Sequence, residues 1–426
     1  MKILHTADLH LGQVIYQNYD RYDEHQHYFK QLKKWCSEEK PDALLVSGDI
    51  FDIQQPSATV KKAFTEYFVD LHRTCPDMAI IITAGNHDSA SRLQADHKVW
   101  ELANTTLIGI GPCVDMDENQ ENNYIVRLKS GYVVAIPFMS GERTTTLQEI
   151  LNTIAKENTD NKPVVMMGHT AVTGLDTTGH EIGAIKTQDS KSFGSGFDYL
   201  ALGHIHKPQT IGHQEDALKQ TVCYPAPVVR YSGSALHVSC DEMYPHTVSL
   251  VDIDKHNGNV SIKQLRIDEL RHFYILPEDG SSLQSSEEAI SAIKNFCETK
   301  KSGYIRLRID YTADLPSNFN QMVYDCLATT NDEVRYNPKI IWTGITEIPN
   351  TEEHKTTFEV EEIKQMTNPL LFIEKTINQY PTLDIDEVRK AFEEVEKEIS
   401  QMYEEEKTKS DSKSNKKASN NTTTIE

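Results

Sequence analysis

Apolar residues in this chain gather in short runs that stop abruptly at small or polar residues. Leu44-Leu45-Val46 is the clearest, ending in Ser47-Gly48-Asp49. An apolar run bounded by turn residues suits a strand covered on both faces. Lys2 to His5 predicts a first strand and Met78 to Thr83 a third. Between them, Tyr28, Phe29, Leu32, Trp35 and Cys36 fall at helical spacing within 22–37. Val60, Ala63, Phe64, Tyr67, Phe68 and Leu71 mark a second amphipathic helix. This β-α-β-α-β rhythm predicts a layered α/β domain.

A further helix is expected over 93–104, and Tyr124 to Leu128 with Tyr132 to Ile136 predict a hairpin around Lys129-Ser130-Gly131. Val164 to Met167 and Tyr199 to Leu202 read as buried strands, separated by a long loop over 170–196 rich in Gly, Thr and Ser. Strands near 228–231, 247–253 and 260–266 are expected to complete a second sheet. From about residue 270 a new unit begins. His272 to Leu276, a helix over 286–298, Tyr304 to Asp310, a helix over 317–328 and Lys339 to Trp342 predict a small β-α-β-α-β domain. The expected organisation is a main domain over 1–268, a small α/β capping domain over 269–343, a linker over 344–357, C-terminal helices over 358–406 and a disordered tail over 407–426. Ile385, Val388, Phe392, Val395, Ile399 and Met402 form an apolar stripe on the second of those helices.

Composition adds constraints rather than an identity. The chain has 426 residues, enough for two domains and a buried core. No apolar run reaches bilayer length, and Met1 to His5 entering a strand directly leaves no room for a signal peptide. Seven cysteines without a Cys-x-x-Cys pair argue for free thiols in a reducing cytoplasm, so a cytoplasmic location is expected. The net charge of −21 speaks against binding a polyanion by global attraction. Residues 351–406 alone carry 16 acidic against 6 basic side chains, a net of −10, far in sequence from the chemistry described next.

That chemistry sits where the apolar runs end: Asp8 and His10, Asp49, Asn86 and His87, His169, then His204 and His206. In open α/β sheets, ligand sites lie at the carboxyl ends of strands. Carboxylate oxygen, amide oxygen and imidazole nitrogen together suit Mn²⁺, Fe²⁺ or Zn²⁺ rather than Mg²⁺ or Ca²⁺. Two such ions can clamp a phosphoryl group, and a carboxylate such as Asp49 has two oxygens with which to serve both. Each piece alone has an ordinary structural reading, as a turn histidine, an Asx turn or a turn glycine. Five of them in this order, each after a buried run, are not explained that way.

Asp8-Leu9-His10, Gly48-Asp49-Ile50-Phe51-Asp52, Gly85-Asn86-His87-Asp88, Gly168-His169 and Gly203-His204-Ile205-His206 resemble the five motifs of the calcineurin-like metallophosphoesterases. Within them, Ile3 to Gln13, Ala201 to His206 and Tyr231-Ser232-Gly233-Ser234 are similar to the nuclease subunits of bacterial complexes with a coiled-coil ATPase. The similarity is strong over 1–255, looser to 345 and only architectural beyond. Ala235 and Leu9 depart from the pattern, where a proline and an aromatic are usual.

The resemblance implies a four-layer αββα sandwich carrying two divalent metal ions, most often Mn²⁺. It implies Asp8, His10, Asp49 and His206 on one metal, and Asp49, Asn86, His169 and His204 on the other. His87 is then the catalytic group facing the phosphate, and Asp52 orients a ligand histidine. His5, Asp88, His213 and His237 are expected to be structural. DNA as substrate, cleavage of duplex ends and hairpins, a role in recombination, replication and repair, a homodimer, and a heterotetramer with the ATPase follow as further implications. The alternatives are a phosphoesterase acting on a nucleotide or other phosphoester, and a non-catalytic scaffold. The residue after Asp52 is Ile53 rather than the arginine of protein phosphatases, and the complete donor set speaks against a scaffold.

Overall fold

The computed structural model describes residues 1–348, apart from 16–18, 115, 142–143, 177–186, 214–220, 240–241, 300, 302, 311 and 334–339, together with residue 390. By contacts the chain divides into two compact units, Met1–Thr346 and Glu347–Glu426. The expected C-terminal helices and tail lie outside the described residues.

Strand Ala43–Ser47 is central to the first unit, and period-two alternation explains why. Leu45 points into the space between two sheets, packing with Ile3, Ile81 and Val251 against Val165, Met167, Tyr199 and Ala201. Leu44 and Val46 point the other way, onto Tyr28, Leu32, Phe64 and Phe68 of helices Tyr22–Glu39 and Ala58–Thr74. On the far side, Val134, Met166, Leu200 and Leu202 pack on Leu147, Ile150 and Ile154 of helix Thr144–Glu157. Helices, sheet, sheet, helix: the layers are αββα. Each fully buried large apolar side chain contributes about 1.5–3 kcal/mol.

The first sheet has seven strands in the order Thr221–Pro225, Asn259–Arg266, Thr247–Asp254, Lys2–Thr6, Ala43–Ser47, Ala79–Thr83, Thr105–Ile108. Its last four strands run parallel. The second has six, ordered Gln209–Thr210, Val228–Tyr231, Tyr199–Gly203, Val164–His169, Gly131–Ala135, Ile125–Leu128, with its four middle strands parallel. The strands near 247–253 and 260–266 therefore do not complete the second sheet. Thr247–Asp254 pairs antiparallel with Lys2–Thr6 and extends the first sheet, and only the 228–231 strand joins the second.

Other differences are local. The helix expected over 93–104 is three short pieces, Ala90–Ala95, His97–Trp100 and a 3₁₀ turn at Glu101–Ala103. The break coincides with a bond of 2.7 Å from His97 Nδ1 to the Gln94 carbonyl. Helix Thr144–Glu157 and strands Thr105–Ile108 and Thr221–Pro225 were not among the expected elements. Within the described part of the expected loop 170–196 there is a 3₁₀ turn at Ser190–Phe193.

Strands His272–Leu276, Gly303–Asp310 and Ile340–Ile348 form a separate sheet, packed with helices Ser286–Glu298 and Phe319–Glu333 around Ile293, Phe296, Ile305, Leu307 and Val323. The last strand runs into 344–348, residues read from sequence as the start of a linker. This capping module is tied to the start of the first helix. Arg21 is buried, its Nε 3.0 Å from Glu24 Oε2, and Tyr304 donates its hydroxyl to Glu24. Phe273 stacks on Tyr304 with centroids 4.5 Å apart, and Arg271 pairs with Asp23 at 2.6 Å. Among the described residues no helix is long and apolar enough to cross a membrane.

Tyr304→Phe is expected to lower stability by about 1–3 kcal/mol, because a buried carboxylate loses a donor. A urea midpoint unchanged from wild type would show that this contact does not anchor the module.

Candidate metal centre

The site forms where the parallel strands of both sheets end. Ala43–Ser47 lies against Val164–His169 and Tyr199–Gly203 of the facing sheet, and Ser47 Oγ donates to the Ala201 carbonyl at 3.1 Å. The loops after these strands are laced by backbone bonds: Asp8 N to Gly48 O and His10 N to Asp49 O, both at 3.0 Å. Asp88 finishes the lacing. Its carboxylate accepts from Ile50 N, Phe51 N and Gly85 N at 3.0, 2.9 and 2.8 Å, so it has the structural place expected for it.

Closeness is bought with strain. Asp8, His10, Asp49 and His204 have φ of 51°, 44°, 47° and 91°, four of the seven described non-glycine residues with positive φ. Such residues cost about 1–3 kcal/mol each and gather at functional sites. Two glycines permit the approach. A Cβ on Gly48 would lie 2.1 Å from His169 Nδ1, and one on Gly85 would lie 2.1 Å from Asp49 Oδ1.

All the candidate ligands come together. Asp8, His10 and His206 offer ligand atoms within 4.8 Å of one another, as do Asp8, Asp49 and His169. Asn86 Oδ1 is 3.0 Å from His169 Nε2 and 2.9 Å from His204 Nδ1. His169 Nε2 is 3.3 Å from Asp49 Oδ2, and His10 Nε2 is 3.9 Å from the same oxygen. The other Asp49 oxygen accepts from the backbone N–H of His87 at 2.8 Å. His10 Nε2 is buried without a hydrogen-bond partner, aimed into the cluster as a donor to a cation would be.

Acceptors behind two of the rings decide which nitrogen faces inward. His169 Nδ1 donates to Ser47 O at 2.8 Å and His206 Nδ1 to Glu242 Oε1 at 2.8 Å, while His10 Nδ1 lies 3.2 Å from Asp52 Oδ1 without a hydrogen bond. Each ring then presents Nε2 to the cluster, the arrangement found behind metal-bound histidines. Asp52 lies beside His10, the nearest ligand histidine to it among these contacts. Glu242 was not anticipated. It lies 36 positions after His206 in a stretch with no periodic pattern, and only the fold brings the two together.

His87 differs from the rest. It is exposed, and its Nδ1 donates to the Asp52 carbonyl at 2.8 Å. Its ring lies edge-on to His10 with centroids 5.0 Å apart, so Nε2 is the atom left for the reacting group. His5 is buried and bonded to the Tyr199 hydroxyl at 2.9 Å, and His213 rests on Tyr224, so neither joins the cluster.

The electrostatics are those of carboxylates taken out of water. Burial pushes the Asp8 carboxyl up, although His169 and His206 oppose it. Burial acts on Asp49 in the same direction, but His169, His10 and the His87 N–H outweigh it and hold Asp49 below the usual range. Burial would lower His169, yet Asp49 and Asp8 raise it to about 9. Burial and then His169 push His204 down to about 4. Imidazoles, carboxylates and an amide oxygen converging in this way fit divalent first-row cations.

Residues 1–208 match the family described as calcineurin-like phosphoesterase. The chain is similar to a Rhodobacter capsulatus protein described as a subunit of the nuclease SbcCD, 30% identical over 288 residues, 59% of this chain and 66% of that one. It therefore spans just under two thirds of that relative. An Escherichia coli K12 protein of the same description is 27% identical over 320 residues, 68% of this chain and 74% of the relative. One from Staphylococcus saprophyticus is 24% identical over 405 residues, covering 87% and 99%.

Gly85→Ala tests the close packing. The added methyl displaces Asp49, so divalent-cation affinity measured by calorimetry should fall at least about 10-fold, the scale seen when supports behind a metal ligand are lost. Unaltered affinity would show that Asp49 needs no such clearance.

Proposed function

We infer that this chain, which belongs to the calcineurin-like phosphoesterase family, is the DNA nuclease subunit of an SbcCD-like complex. The observation that carries this reading is the meeting of six further donor side chains, from four other strand ends, around Asp49 and its neighbours. Phosphodiester hydrolysis is the chemistry such a two-cation cluster supports best. Asp8, His10, Asp49 and His206 would hold one divalent ion, and Asp49, Asn86, His169 and His204 the other, with Mn²⁺ the proposed metal. When bound, the pair polarises the phosphoryl group and lowers the pKa of a water towards neutrality.

The chain's own residues do the rest. His87, held through Nδ1 by the Asp52 carbonyl, directs Nε2 at the leaving oxygen and can give it a proton. Asp52 and Glu242 keep the rings of His10 and His206 turned so that Nε2 points inward. Exonuclease action on duplex ends and endonuclease action on hairpins or blocked ends, in recombination, replication and repair, complete the proposal. So does an SbcC-like coiled-coil ATPase that supplies much of the DNA grip missing from so acidic a chain. Val99 and Leu102, 68% and 87% exposed, support docking of a second nuclease copy, giving a homodimer and, with the ATPase, a heterotetramer. The amphipathic stripe from Ile385 to Met402 is the proposed ATPase dock.

The direct test is cleavage of linear duplex and hairpin DNA in Mn²⁺ or Mg²⁺, with and without the ATPase. Cleavage in Mn²⁺ is expected, and none under any condition overturns the reading. Asp49→Ala should abolish activity and most metal binding. His87→Ala should keep both ions yet lose about 10²–10⁴-fold in turnover. A His87 variant that fails to load metal would make it a ligand instead. Ending the chain after Ile348 should leave weak cleavage but abolish co-purification with the ATPase, whereas unchanged complex formation would place the dock elsewhere.

A further inference from the structure

Outside the catalytic cluster lies a second set of buried donors: His237, Glu242 and His246, 6%, 0% and 0% exposed. Their ligand atoms fall within 4.8 Å of one another. The outer nitrogen of each imidazole faces only acceptors. His237 Nε2 is 2.9 Å from Glu269 Oε2. His246 Nδ1 is 3.0 Å from the Ser234 carbonyl and 3.0 Å from Ser234 Oγ. That hydroxyl donates to the Leu236 carbonyl at 2.8 Å, so its oxygen can only accept from the ring.

Both outer nitrogens must then carry the hydrogen, and a neutral imidazole has only one. The inner atoms, His237 Nδ1 and His246 Nε2, are left facing each other as lone pairs 3.1 Å apart. Two lone pairs at that distance repel unless a proton or a metal cation lies between them, and the third donor beside them, Glu242, favours the cation. Glu242 Oε2, 3.7 Å from His246 Nε2, adds a negative oxygen on the same side. The arrangement repeats the catalytic cluster, where His169 turns Nδ1 to a carbonyl and Nε2 lies 3.3 Å from Asp49.

We propose that His237 Nδ1, His246 Nε2 and Glu242 Oε2 bind a third cation, a first-row transition metal of the Zn²⁺ class. Two imidazoles and a carboxylate suit that ion. Burial closes the site to substrate, so its work is structural. It fixes Glu242, whose other oxygen orients His206, and it draws in Glu269, which also bonds His272 at 2.6 Å where the capping module begins.

The test measures bound metal on the full chain in an Asp49→Ala background, which removes the catalytic ions from the count. Protein produced with Zn²⁺ and washed with a weak chelator should retain about one equivalent, and removing it should lower the melting temperature. His246→Gln in that background should lose the equivalent, as should His237→Gln. Co²⁺ substitution should give a visible d–d absorption that both variants lack. No zinc in the folded Asp49→Ala protein overturns the proposal, whatever happens in the variants. So does zinc retained equally after both substitutions.

Discussion

Two carboxylates, Asp8 and Asp49, are 1% and 2% exposed at the same end of two facing sheets, and much of the local architecture answers that fact. A buried unpaired charge costs several kcal/mol even after relaxation. Here the offsetting groups are imidazoles, backbone N–H groups and, in the family, cations. His87 N donates to Asp49 at 2.8 Å within the first sheet's own loops, and His204 N donates to Asp8 at 2.9 Å, which requires the two sheets' loops to interdigitate. Interdigitation in turn requires left-handed backbone at Asp8, His10, Asp49 and His204 and no side chain at Gly48 or Gly85. The strain is tolerated because the strands behind it are anchored in two apolar layers.

This chain of dependence explains what could be read from sequence. Strand ends are legible because an apolar run followed by glycine and a polar residue is a local pattern, and Asp49 after Leu44-Leu45-Val46 is one. Helix Thr144–Glu157 was also legible in principle, since Leu147, Ile150, Leu151 and Ile154 keep the helical period. Assignment of strands to sheets was not. Nothing local in Thr247–Asp254 says that it pairs with Lys2–Thr6, about 245 residues earlier, rather than with Val228–Tyr231 nearby. Glu242 was invisible for the same reason: its partner His206 is a neighbour in space alone.

The capping module meets the catalytic layers through groups that also serve the site's surroundings. Arg21 joins Glu24, Gln13 Oε1 at 2.7 Å and the His237 carbonyl, while Tyr304 reaches Glu24 from the module. Gln13 closes the segment that begins with Asp8 and His10, and His237 precedes Glu242 by five positions. A shift of the module at Tyr304 therefore reaches Gln13 and the His237 carbonyl through Glu24 and Arg21. The connection is short and made of buried polar contacts, which lose more by being pulled apart than exposed ones do.

Net charge belongs to the same reasoning. Under the proposed function, a chain at −21 gains nothing from long-range attraction to its polyanionic substrate. Binding then has to come from short-range coordination of a phosphate at the cations and from a partner carrying the basic surface. The cluster is suited to that division, since its donors are imidazoles and an amide around only two acidic side chains. A more acidic cage would neutralise two divalent cations completely and leave them little pull on a phosphodiester. Two carboxylates leave the site electropositive once loaded, which under the proposed function gives a phosphodiester its short-range hold there.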